Sequence, residues 1–254
     1  MRGALGPLLG TEAGRAETGS GAGGDRTLEL DRRAEAEALA ELRTLCGRGQ
    51  RFSLLSEEAG AVDFGAEFPR VLLDPVDGSR NAKRGLPIVG VALAVLDGPA
   101  LGQTRAGFVL NAVSGERWHA LRGGGAFHEG RRILPARHGP GDRIEVLGLE
   151  TSPRSLLAAR PLVERTARLR LLGSIALALA HTAAGGIDVH CTPTPHRLLD
   201  MVAGVLMIGE VGGVVTDLEG APLSGLPADL ATRTTLLGSA HEPLHRLALE
   251  TLRG

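Results

Sequence analysis

Apolar and polar residues change their spacing along this chain, and each change predicts a different kind of element. From Thr27 to Cys46, TLELDRRAEAEALAELRTLC places Leu39, Leu42, Leu45 and Cys46 at helical intervals with charges opposite. This predicts an amphipathic helix ended by Gly47. Runs of alternating or continuous apolar residues follow: RVLL before Asp74, Ile88 to Leu96, Arg105 to Val113, ERWHA, and Arg143 to Glu150. Short Gly-containing turns between them predict antiparallel strands. After Thr151 strand and helix alternate. A helix over SPRSLLAARPLVERTA is expected, capped by Ser152 and kinked or divided at Pro161. It is followed by strand RLRLL, a helix capped by Ser174, strand IDVHC, helix LLDMVAGVLMIGEVGG ended by Gly212, strands VVTD and TTLLGSA, and a last helix EPLHRLALETL. Residues 1–26 show little periodicity and predict a short helix around Leu5 to Leu9, then a flexible loop at GSGAGGD. The fold class read from this pattern is α/β. An α+β half, residues 1–138, precedes an α/β half, residues 139–254, and PARHGPGD breaks the pattern between them.

Composition narrows the partners. The chain has 254 residues, of which 43% are apolar and 37 are Gly, enough for a sizeable core with many turns. A formal net charge of −1 and an aromatic content of 2% offer neither the basic surface nor the stacking platforms that nucleic acid requires, and no anionic membrane is favoured. No apolar run approaches a membrane span. Cys46 and Cys191 read best as free thiols in a reducing cytoplasm, since no secretory signal opens the sequence. Basic residues are almost all Arg, Lys83 being the single Lys.

The chemistry concentrates in LLDPVDGSRN, Leu72 to Asn81. Asp74 follows four residues that read as a buried strand, Pro75 stiffens the turn, and Asp77 returns three residues on. Gly78 and Ser79 add backbone N–H groups and a hydroxyl at a helix start, a place that binds anions. Two carboxylates beside an anion-binding turn make sense when a shared cation joins them. Oxygen ligands of this kind select Mg²⁺ or Mn²⁺ over zinc. Asp-Pro and Asp-Gly are also ordinary turn dipeptides, and that reading would win for this stretch alone. SEEAG, with Glu57 and Glu58, and LLDMVAG, with Asp200 in an apolar helix start and no basic partner evident nearby in sequence, shift the balance to a metal site.

At these residues the sequence resembles the inositol monophosphatase-like sugar phosphatases, which include the archaeal-type inositol monophosphatase / fructose-1,6-bisphosphatase enzymes. SEEAG is similar to the family's first Glu motif and DPVDGSRN to its DPxDG[TS]xN signature. LRLLGSIALALAHTAAGGIDV resembles its GSxAL region, and HRLLDMVAGVLMIGEVGGVVTD its second signature, WDxAAGxxxxxEAGGxxTD. The resemblance implies a layered αβαβα sandwich, a homodimer, and Mg²⁺-dependent hydrolysis of a small sugar or polyol phosphate by a metal-activated water. Two or three Mg²⁺ ions are implied, with Mn²⁺ as a substitute and Li⁺ as an inhibitor. Glu57, Asp74 and the Val76 carbonyl would hold one ion, and Asp74, Asp77 and Asp200 a second. Ser79, supported by Asp31, would activate the water, with Glu57 counted in the catalytic set. Gly78 and Ser79 would bind phosphate, and Arg170, Gly173 and Ser174 would face the sugar or inositol ring. Two departures stand out: Leu199 replaces the Trp before the second-signature Asp, and Pro193 stands where inositol-selective members carry a ring-binding Glu. Arg168 or Arg197 would be reserves to Arg170 for a second phosphate.

Competing signals are weaker. GSGAGG at Gly19 to Gly24 fits a dinucleotide motif but follows no predicted strand. His190, Cys191 and His196 lack zinc-ligand spacing. Lys83 and Arg84 could reach a phosphate but read better as a solvated loop, Asp188 reads equally as a residue near the site by its position in the family resemblance and as a strand-edge aspartate, and Trp118 reads as core. Two rival functions differ in class: a phosphatase acting on 3′-phosphoadenosine 5′-phosphate, and a non-catalytic protein that binds metal or sugar phosphate.

Overall fold

The computed structural model describes residues 2–24, 26–135, 143–153 and 155–254. Two helical turns, α1 (Arg2–Leu5) and α2 (Glu12–Arg15), lead to a hairpin of β1 (Glu17–Ser20) and β2 (Arg26–Leu28), and then to the 19-residue α3 (Glu29–Gly47). An eight-stranded sheet follows, comprising β3 (Ser53–Ser56), β4 (Gly60–Asp63), β5 (Arg70–Asp77), β6 (Gly90–Leu96), β7 (Thr104–Asn111), β8 (Arg117–Leu121), β9 (Gly125–His128) and β10 (Arg131–Arg132). Its order is β10-β9-β8-β7-β6-β5-β3-β4, and α4 (Ser79–Arg84) is inserted after β5. Every pairing is antiparallel except β3 with β5.

The remaining elements are β11 (Val146–Leu149), α5 (Arg160–Arg165), β12 (Arg168–Arg170), α6 (Ile175–Ala183), β13 (Val189–Arg197), α7 (Val202–Glu210), β14 (Val214–Thr216), β15 (Arg233–Ser239) and α8 (Glu242–Arg253). Their strands form a second sheet, β12-β11-β13-β15-β14, in which β11 runs parallel to both its neighbours. Residues 136–142 of the predicted boundary lie outside the described residues.

Alternation along the strands builds the layers. In β5, Val71 and Leu73 face Leu30, Ala34 and Leu42 of α3, while Leu72 faces the opposite core with Ile175 to Leu179 of α6 and Val202 and Met207 of α7. On the far side of the second sheet, Leu147, Leu149, Cys191 and Leu237 pack with Leu162 of α5 and Leu244 and Ala248 of α8. The order helix, sheet, helix, sheet, helix is the five-layer sandwich that the family resemblance implies. Helices α6 and α7 lie between two sheets and are apolar almost all round, whereas α8 covers one face only and is amphipathic. Close packing there requires Gly204, because a Cβ on it would lie 2.3 Å from the Cβ of Leu179.

Several predicted elements shift. The helix expected from Ser152 begins later, as a 3-10 turn over Leu156–Ala159 continuing into α5. Ser152 donates its amide to Ser155 Oγ (3.0 Å) instead of capping it. Pro161 sits in the first turn of α5, where no backbone donor is needed, and kinks nothing. The first long helix starts at Glu29 because Thr27 and Leu28 pair into β2. Strand β13 runs past Cys191 to Arg197, carrying Pro193 and Pro195 through a register shift between Thr192 and His196. Among the described residues no helix is long and apolar enough to cross a membrane.

Candidate metal and phosphate site

Asp77 follows Asp74 by three positions, and a regular strand would send side chains at that odd spacing to opposite faces. Pairing with β6 avoids this: Asp74 pairs with Ala92 but Asp77 with Gly90, so β5 carries one extra residue. This bulge returns both carboxylates to the face that meets α6 and α7. Asp74 is 2% exposed, and its Oδ1 accepts the Val76 amide at 2.9 Å. Asp77 Oδ2 accepts Ser174 Oγ (2.6 Å) and the Ala176 amide (2.7 Å), so the N-terminus of α6 anchors it.

The strand then turns through Gly78 at φ 99°, where a Cβ would also lie 2.9 Å from the Gly173 carbonyl. Only glycine suits both demands. Ser79 opens α4, and its Oγ donates to the Val76 carbonyl at 3.1 Å. Glu57 arrives from the end of β3, its amide on the Leu73 carbonyl (3.3 Å). Asp200 comes from a buried 3-10 turn, Leu198–Asp200, that leads into α7. One carboxylate oxygen from each of Glu57, Asp74 and Asp200 lies within 4.8 Å of the others.

The electrostatic consequence is large. Burial, then the charges of Glu57, Asp200 and Asp77, push the Asp74 carboxyl well above its ordinary range. Burial and Asp77 do the same to Asp200 against the pull of Arg197, and burial raises Asp77 in spite of the Ser174 and Ala176 hydrogen bonds. Burial also pushes Asp31 to about 7, although its Oδ2 accepts the Leu28 amide at 2.8 Å; its Oδ1 is buried without a hydrogen bond. A convergent, desolvated, all-oxygen donor set with excess negative charge fits a hard divalent cation.

The fold brings Arg197 into ion-pair reach of these acids. Its Nη1 bonds Glu57 Oε1, and its Nε lies 3.8 Å from Asp200 Oδ1. The expectation that Asp200 lacks a nearby basic partner is therefore corrected: the partner is three residues away, reached because the intervening residues form a tight turn. Arg170 lies exposed on the edge strand β12 and bonds the Leu169 carbonyl (2.9 Å), while Arg168 bonds that of Ala167 (2.8 Å). Gly173 and Ser174 do reach the site, as the turn against Gly78 and the hydroxyl on Asp77.

The glycine stretch at 19–24 is no free loop. Ala22 and Gly23 donate their amides to the carbonyls of Glu58 (3.1 Å) and Glu57 (2.7 Å). A Cβ on Gly23 would lie 2.9 Å from Arg197 Nη1. Close backbone approach explains Gly21 and Gly23, and no periodicity signals it. Missed as well is Glu35, which accepts Ser56 Oγ at 2.7 Å beneath the site. His190 and Cys191 point to opposite faces of β13; burial lowers the former to about 3 and raises the latter to about 12, and among the described residues neither joins a group that could hold a metal.

A family model described as the inositol monophosphatase family matches residues 4–253. The chain belongs to the inositol monophosphatase family. Membership makes it a phosphatase that depends on divalent metal. Among relatives of this inositol monophosphatase family member, the chain is 32% identical to the fructose-1,6-bisphosphatase/inositol-1-monophosphatase of Methanothermobacter thermautotrophicus, covering 98% of this chain and 91% of that one. It is 33% identical to the protein of the same description from Thermococcus kodakarensis, covering 97% and 91%. The solved IMPase of Thermotoga maritima superposes with a TM-score of 0.79 at 26% identity, covering 100% of this chain and 93% of that one.

Proposed function

We propose that the chain hydrolyses small sugar and polyol phosphates, fructose 1,6-bisphosphate and inositol monophosphate among them, with two or three Mg²⁺ ions held by Glu57, Asp74, the Val76 carbonyl, Asp77 and Asp200. Mn²⁺ replaces Mg²⁺ in this reading, Li⁺ inhibits, and the enzyme works as a cytoplasmic homodimer. The observation that carries the proposal is the convergence of three buried carboxylates within 4.8 Å beside the Gly78–Ser79 turn.

Held by these residues, the ions would supply Lewis acidity toward the phosphoryl oxygens and would lower the pKa of water. The chain supplies the rest. The backbone at Gly78 and Ser79 receives the phosphate at the start of α4, where the glycine allows close approach. Ser79 Oγ orients the attacking water, and Asp31, raised to about 7, is the supporting proton acceptor near neutral pH. Ser174 and the α6 amides fix the Asp77 carboxylate, so that it meets the cation without rearranging.

Pro193, buried in β13, provides no carboxylate for an inositol ring, which favours a broad or bisphosphate preference. The decisive test compares kcat/KM for fructose 1,6-bisphosphate, inositol 1-phosphate and 3′-phosphoadenosine 5′-phosphate, with and without Mg²⁺. Turnover of the first two that requires Mg²⁺ is expected. Metal and sugar phosphate binding without any turnover would instead identify a non-catalytic binding protein.

A further inference from the structure

Glu150 is an acid that none of the roles above uses. It stands one residue past β11, with its amide on the Cys191 carbonyl at 3.1 Å. Leu147 and Leu149 of that strand point into the core beneath α5 and α8. Alternation therefore turns Glu150 the other way, toward the start of α6. Strands β12, β11 and β13 run parallel, so Glu150 and the Gly173–Ser174 turn emerge together at the strands' carboxyl ends, where open sheets hold ligands.

The neighbours define what this carboxylate can do. Burial, then the charge of Asp77, pushes its carboxyl up to about 7, while the Gly173 backbone and the exposed Arg80 that follows Ser79 pull it down, so all three lie within its electrostatic reach. The same Gly173 packs its carbonyl on Gly78. Through the Gly173–Ser174 turn Glu150 thus neighbours the phosphate-receiving backbone, and it is half-buried. A carboxylate's two oxygens have about four acceptor positions, and a polyol whose phosphate sits at Gly78 and Ser79 would bring hydroxyl donors to them.

We infer that Glu150 is a specificity residue, its carboxylate accepting a hydroxyl of the substrate's sugar or polyol ring beside the phosphate turn. The inference rests on the phosphatase reading and adds the ring-binding group that Pro193 does not supply. Its test sets a hydroxyl-rich substrate against one with none. In wild type, Glu150→Ala and Glu150→Gln, kcat and KM are measured for inositol 1-phosphate and for p-nitrophenyl phosphate at saturating Mg²⁺, with melting temperatures to check folding. The ratio of kcat/KM for inositol 1-phosphate to that for p-nitrophenyl phosphate is expected to fall about tenfold or more in Glu150→Ala, chiefly through KM, as fits the loss of one charge-assisted hydrogen bond. Glu150→Gln, which keeps one acceptor oxygen, should fall less. An unchanged ratio in folded, active variants overturns the assignment alone. Wild-type protein that hydrolyses neither ester overturns the phosphatase reading and this one with it.

Discussion

Two buried stretches of strand hold residues able to bind metal, and only one forms a site. At the end of β5 the acids Asp74 and Asp77 share a face because a bulge corrects their spacing, and Glu57 and Asp200 converge on them. In β13, His190 and Cys191 are as deeply buried but adjacent, so the pleat sends them to opposite sides, the thiol into the α5/α8 core. Burial shifts the titration of both stretches. Convergence on a common point, rather than burial or residue type, separates a cation site from core.

Removing one convergent acid should have the largest effect. Asp77→Asn is expected to lower Mg²⁺-dependent kcat/KM by more than about a thousandfold, some 4 kcal/mol of transition-state stabilisation, while far-ultraviolet circular dichroism stays native. A near-native rate at ordinary Mg²⁺ would falsify the ligand assignment.

Stability against pH probes the same convergence without catalysis. Burial pushes the Asp31 carboxyl up to about 7 in the folded chain from its ordinary value of 3.8, so the folded state holds the proton more tightly. Its contribution is fully present below pH 3.8 and is lost as pH rises through about 7. Asp74, raised in the same direction, adds to the slope. In chelator, urea unfolding should therefore lose up to about 4 kcal/mol from Asp31 alone between about pH 4 and 7. Saturating Mg²⁺ should flatten this loss, and a chelated protein whose stability rises over that range would contradict the electrostatic picture.

Arg197→Ala, by removing its ion pairs with Glu57 and Asp200, should destabilise the chelated protein by about 3 kcal/mol in urea, with Mg²⁺ recovering part of the loss. The smallest effect belongs to β13. Cys191→Ser places a hydroxyl in the α5/α8 core and should cost about 1–3 kcal/mol of stability, with little change in kcat. A large loss of kcat at unchanged fold would mean that β13 is not the inert stretch of this comparison.

Sequence reading goes furthest where chemistry and local pattern coincide. Asp74, Asp77, Gly78 and Ser79 lie within six residues of one motif, and Ser174 reads as a helix cap because a hydroxyl precedes an apolar run. The capping hydroxyl indeed accepts the Leu177 amide, yet its bond to Asp77 spans 97 residues and leaves no local trace. Arg197 was harder to place because helical spacing alone does not reveal a 3-10 turn that aims two neighbours at one point. Gly21 and Gly23 read as flexible because close backbone approach has the same composition as freedom. Strands β3 and β4 are four residues each, too short for alternation to stand out.

The layer formed by α6 and α7 has a consequence for how the molecule comes apart. Helices α6 and α7, which carry Ile175, Leu179, Val202 and Met207, contact strands of both sheets, so neither sheet keeps its cover if the other opens. Glu57 and Asp74 come from the first sheet's segment, and Ser174 and Asp200 from the second's. Heat or urea should therefore dismantle the whole chain in one cooperative step, with the most slowly exchanging amides in α6, α7 and β7 and no partially folded species that retains cation binding.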